Sequence, residues 1–187
     1  MPRAGLDRAS VVDLALAVVD DGGPAGFADL TLAAVAARAG VAVPSLYKHV
    51  EGLPGLRREV ALVCVQEFAA AIKDCGTLSA IGHATRAYAR ATPGRYDAVQ
   101  GTTWIDDPAA RAVQEAGAAV VEDLARAVDA LGVPVENRID AVRAVRAAVH
   151  GFVVLELAGG FGMPEDVDES FAFLIDGLVG GLARLVV

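Results

Sequence analysis

Four side chains able to do chemistry fall within five positions of "GVAVPSLYKHV", residues 40 to 50: Ser45, Tyr47, Lys48 and His49. The chain has only two lysines and three histidines, so one of each standing side by side is a concentration. Hydroxyls, an ammonium and an imidazole are donors suited to oxygen-rich surfaces such as phosphates and base edges. Catalysis finds no comparable support. His49, His83 and His150 lack metal-ligand spacing, no Cys/His cluster accompanies them, and there is no nucleophile elbow or phosphate-cradling glycine loop. The expectation is no enzyme, no metal and no cofactor.

The elements that must position these residues read as helices. Apolar residues recur at three and four throughout, with no convincing strand alternation. A first helix is expected from an N-cap at Asp7 to Asp20, stopped by Gly22 and Gly23. Thr31 caps a second, with Leu32, Val35, Ala36 and Ala39 on one face and Gly40 as its stop. A third covers Val43 to His49. Further helices are expected at about 54–74, 78–91, 108–131, 136–158 and 166–186, with 92–108 irregular or briefly helical.

Helix, glycine turn and short helix make a helix-turn-helix. At 100° per residue, Val43, Leu46 and Val50 share the buried face and Pro44, Ser45 and Lys48 the opposite one. Tyr47 and His49 project from the edges between. Such a helix suits the DNA major groove, with its exposed face toward bases and its flanks toward phosphates. The start of the second helix at Thr31 offers another phosphate site, and Arg38, Arg57 and Arg58 enlarge the basic rim.

Charge bears on this reading. The 187-residue chain is 55% hydrophobic and 21% charged, a globular composition with net charge −8. Residues 1–60 hold six Lys/Arg against seven Asp/Glu, so most of the acidity lies beyond them. Cys64 and Cys75, if on one helix, are separated by about 16 Å along its axis, too far for a disulfide. The chain reads as reduced, cytoplasmic and without a membrane span.

"LTLAAVAARAGVAVPSLYKHV" resembles the DNA-binding segment of TetR-family transcriptional repressors. The family pattern is matched by Thr31, by Ala39-Gly40 at the turn, and by Leu46-Tyr47-x-His49-Val50. Two departures stand out: Ala42 where the family has a capping serine, and Leu53 near the place of a phosphate-binding lysine. "RAVRAAVHGFVVLE" is similar to a subgroup carrying Trp-His-Gly, here Val149-His150-Gly151.

The resemblance implies an all-α bacterial protein. A three-helix helix-turn-helix domain, 1–53, is joined to a helical ligand-binding and dimerisation domain, 54–187. The implied function is a repressor on a palindromic double-stranded DNA operator, released by a small-molecule effector, with activation left open. DNA contacts are assigned to Thr31, Arg38, Val43, Pro44, Ser45, Tyr47, Lys48 and His49. Pocket candidates are Tyr88, Arg95, Tyr96, Trp104, His150, Phe152 and Met163. The last helix carries an apolar seam of Phe171, Leu174, Leu178, Leu182 and Leu185, with Gly177 and Gly181 one turn apart. That seam is the expected homodimer interface. The alternative reading is a helical dimer that binds a small molecule or protein without reading DNA.

Overall fold

The computed structural model describes residues 6–101 and 104–186, and the side chains of 6–101 and 104–185. Eight α-helices order the chain: α1 (Arg8–Asp21), α2 (Leu32–Ala39), α3 (Gly52–Ile72), α4 (Leu78–Ala91), α5 (Pro93–Gln100), α6 (Arg111–Asp129), α7 (Arg138–Leu157) and α8 (Val167–Ala183). Short 3₁₀ segments join them, including Val43–Lys48 between α2 and α3. No strand occurs among the described residues.

The chain forms two compact units. One takes residues 1–67 and 92–116, the other 68–91 and 117–187. The expected boundary at residue 53 follows the sequence order; the compact units follow the packing. Residues 92–116 join the N-terminal unit for reasons visible in their side chains. Arg95 on α5 donates to Asp20 at 2.6 and 2.8 Å and to Glu67 at 2.8 and 2.9 Å. Trp104 meets the ring of Phe27 edge-on at 5.9 Å. Gly94 lies so close to α1 that a Cβ there would stand 2.7 Å from the Val19 carbonyl oxygen and 2.6 Å from that of Gly23. The sequence reading left 92–108 irregular or briefly helical; the structure gives α5 two full turns, opened by Pro93, whose fixed φ suits a first helical position.

In the N-terminal unit, α1 begins with a reciprocal cap between Asp7 and Ser10, each accepting from the other's backbone N–H. Val11, Ala15, Val19, Leu30, Val35 and Leu46 form its core. In the C-terminal unit, α4, α7 and α8 pack on one another. A Cβ on Gly82 of α4 would stand 2.5 Å from Ile175 Cδ1 of α8, so those two helices meet at a residue with no side chain.

Candidate nucleic-acid interface

The turn that sets the recognition segment is fixed by Gly40. It closes α2 at φ +67°, a left-handed conformation that L side chains resist. Its N–H donates to Ala37 O, and the next N–H, of Val41, donates to Ala36 O. The chain reverses there and enters Val43–Lys48. Thr31 caps the other end of α2, accepting from Ala34 N–H at 3.2 Å, as its sequence position predicts.

The recognition segment differs from expectation in its winding. It is a 3₁₀ helix, with Ser45 N–H donating to Ala42 O and His49 N–H to Leu46 O, each at 2.9 Å. Six residues between Gly40 and the next turn are too few to establish an α ladder, and 3₁₀ bonds close sooner. Side chains three apart therefore eclipse: Pro44 lies under Tyr47 and Ser45 under Lys48. The anchors are nonetheless those expected. Leu46 is fully buried and Val50 nearly so. Pro44, Tyr47 and Lys48 are exposed, Tyr47 by 60%. Val43, Ser45 and His49 are half-buried, so Val43 is neither the core residue nor the free contact that an α wheel suggests.

Ala42 makes no side-chain cap, in agreement with its departure from the family pattern. The loss is smaller than for an α-helix. The second position is Pro44, which has no N–H, and the third, Ser45, has already given its N–H to Ala42 O. A serine at 42 has little left to cap.

The basic rim is partly committed. Arg38 pairs with Asp21 in an exposed ion pair, the kind a phosphate can replace at little cost. Arg58 pairs with Glu51 at 3.1 Å and Asp107 at 3.4 Å. Arg57 is turned inward: its Nη2 donates to Ala28 O at 2.7 Å and its guanidinium lies over the Phe27 ring. It holds the loop before α2 and does not belong to the rim. Lys48 has no carboxylate partner among the described residues.

The seven pocket candidates are divided between the two units. Arg95, Tyr96 and Trp104 belong to the N-terminal unit; Tyr88, His150, Phe152 and Met163 belong to the other. Arg95 is engaged with Asp20 and Glu67, and Tyr96 is buried. Met163 is 80% exposed. Phe152 does join an aromatic cluster, with Phe161 at 4.6 Å and Phe171 at 5.0 Å; His83 meets Phe171 at 5.3 Å. Tyr88 faces Phe68 at 5.4 Å.

Arg86 lies at the centre of that cluster and was not among the expected site residues. It is 6% exposed, sits 4.9 Å over the Phe171 ring, and donates to Glu156 at 2.6 and 2.7 Å and to Asp168 at 2.6 Å. The hydrogen bonds to Glu156, more than any other cause, push its pKa further above the ordinary arginine range. The sequence held a signal for it: Arg86 shares the stripe of Leu78, Ile81, Gly82, Thr85 and Ala89, all buried. A charge in an apolar stripe has to find a partner inside.

The apolar seam of α8 needs correction. Phe171 and Leu182 are buried within their own unit, so neither offers surface to a second chain. Leu174 and Leu178 are half-buried, Gly177 and Leu185 exposed. The outward face instead presents Phe173, 81% exposed, with Gly177 one turn on; α7 adds Val154 and Leu155. A Cβ on Gly177 or Gly181 would meet nothing within 4 Å.

Comparison with known proteins identifies the family. The family model "Tetracyclin repressor-like, C-terminal domain" matches residues 78–178. The chain is 31% identical to the uncharacterized HTH-type transcriptional regulator Rv0681 of Mycobacterium tuberculosis, over 97% of this chain and 84% of that one. It is 29% identical to the uncharacterized HTH-type transcriptional regulator YobS of Bacillus subtilis, over 97% and 95%. Its fold is similar to that of SCO7222, a TetR from Streptomyces coelicolor, with a TM-score of 0.70, 21% identity and coverage of 98% and 100%. It is also similar to a TetR variant from Acinetobacter baumannii AYE solved in complex with minocycline, with a TM-score of 0.65, 23% identity and coverage of 98% and 99%. With an exposed Tyr47-Lys48 pair on a buried Leu46 anchor and a matching C-terminal domain, the chain belongs to the TetR family of DNA-binding transcriptional regulators, which are not enzymes.

Proposed function

We propose that the protein is a homodimeric, cytoplasmic repressor that reads a palindromic operator through Val43–His49 and is released by a small molecule held in its C-terminal unit. Ser45 and Lys48 face the bases, with Val43 and with Pro44, on the ridge of Tyr47, at their margins. Tyr47, His49, Thr31 and Arg38 meet phosphates on the groove walls. The carrying observation is Lys48: exposed, without a carboxylate partner among the described residues, and one position from the exposed Tyr47. The twofold contact is assigned to the outward face of α7 and α8, whose exposed Phe173, Leu155 and Gly177 await cover. A dimer presents two recognition helices to half-sites about 34 Å, or a multiple, apart. The effector is assigned to the C-terminal unit, near Phe152, Tyr88 and His150. Occupancy there favours a spacing that no longer fits the operator. No helix among the described residues is long and apolar enough to cross a membrane.

Binding to the DNA upstream of the protein's own gene, followed across a salt series, tests this. A steep salt dependence is expected. Lys48→Ala should weaken binding about tenfold or more, and where Lys48 meets a phosphate it should lower the log–log salt slope by about 0.9. Tyr47→Phe should weaken binding without changing that slope. Equal, weak binding to any sequence, indifferent to both substitutions, overturns the reading.

A further inference from the structure

A groove of about 920 Å³ opens in the N-terminal unit beside the recognition segment. It falls within the span of roughly 300–1,000 Å³ typical of small-molecule sites. Its floor is apolar, formed by Val50, Leu62, Ala110 and Val113. Its rim is charged. Arg8 donates to Glu59 at 2.6 Å and Arg58 to Glu51 at 3.1 Å, so two of the rim's cations are balanced by its two carboxylates. Arg58 also reaches Asp107 at 3.4 Å, and the Lys48 ammonium is the rim cation without a carboxylate partner among the described residues. Tyr47 and His49 also line the groove.

We propose that this groove is a second ligand site, taking a small monoanionic amphiphile, with its carboxylate or sulfonate on Lys48 and its apolar body along Leu62, Ala109 and Ala112. The one ammonium without a partner matches one negative charge. A second anionic group would face Glu51 or Glu59, whose own partners are already in place. Above the buried Val50, Ala110 and Val113, the half-buried Leu62 and the exposed Ala109 and Ala112 offer apolar surface that a hydrophobic body removes from water. Occupancy competes with DNA, because one ammonium cannot serve a ligand anion and a DNA acceptor at once. The competition, though not the binding, rests on the DNA-facing role proposed for Lys48. Such a ligand acts on the recognition segment itself, without a signal from the C-terminal unit.

The test uses the full chain and 8-anilinonaphthalene-1-sulfonate, an aromatic monoanion whose emission rises in apolar surroundings. Ala112 lines the groove and is exposed, so Ala112→Trp fills the space without entering the core. Ala109→Trp, at the wall's other exposed alanine, does the same by a second route. Both tryptophan variants and Lys48→Ala are expected to weaken dye binding about tenfold, while Lys48→Arg keeps it. Upstream duplex DNA is expected to displace the dye from the unsubstituted protein. Unchanged dye affinity in variants that melt like the parent overturns the site. Dye retained on a DNA-saturated protein overturns the competition. If the parent fails to bind the DNA, that result counts against the DNA reading alone, and the variants still decide the groove.

Discussion

At the scale of single residues, the two cysteines separate sharply. Cys64 is fully buried on α3, and that burial, reinforced by the nearby Glu67 carboxylate, pushes its thiol up to about 12. The raised value means that the reactive thiolate is scarce at pH 8 and becomes abundant only in strong alkali. Cys75, just past the end of α3, is half-buried. Ellman's reagent at pH 8 should therefore titrate one thiol in the native protein and two in guanidinium, and Cys75→Ser should abolish the native reaction. Two fast equivalents in the native state would contradict the burial. Much at this scale was legible in the sequence. Asp7 and Thr31 were readable as caps because capping needs only a short oxygen-bearing side chain before an apolar run. Arg86 was overlooked because its partners Glu156 and Asp168 lie 70 and 82 positions away, and spacing carries no trace of so distant a pairing.

Elements were legible where periodicity was strong and blurred where neighbours decided. The long helices were expected within a few residues of their observed ends, since their apolar stripes repeat over several turns. The winding of Val43–Lys48 was not, because 3₁₀ and α turns of six residues share nearly the same pattern. Contact between α4 and α8 was also hidden, since a glycine in a helix gives no hint of what approaches it. It makes a prediction. Gly82→Ala places a methyl against Ile175, itself buried, and should destabilise the fold by about 1–3 kcal/mol. Ile175→Val removes the clashing Cδ1, so the double variant should be more stable than the sum of the two single losses implies. Chemical denaturation of the four proteins measures this; strict additivity would mean that the helices do not meet there.

At the scale of the whole molecule, α8 has two faces with different duties, and two phenylalanines two positions apart tell them apart. Phe171 is enclosed by His83, Phe152 and Arg86, so Phe171→Ala should cost about 3–5 kcal/mol of stability. Phe173 is exposed on the face assigned to the partner. Phe173→Asp should leave the unit folded, shift sedimentation from dimer to monomer, and weaken operator binding with the loss of the second half-site. A Phe173→Asp protein that remains dimeric would place the twofold contact elsewhere. Sequence alone merged these faces into one seam, because leucines at three-four spacing mark an apolar stripe without saying which neighbour covers it.

Trp104 has a further consequence. It is the only tryptophan in the chain, and its indole is packed against Phe27, with no hydrogen-bond partner for its N–H among the described residues. The protein thus carries a single indole, excitable at the red edge where its three tyrosines are silent, and it resides in the unit that holds the recognition segment. A compound that binds the C-terminal unit and leaves the emission of Trp104 untouched has occupied the regulator without informing it. One that shifts the emission has delivered its message, and a cuvette can sort inert binders from inducers before any operator is known.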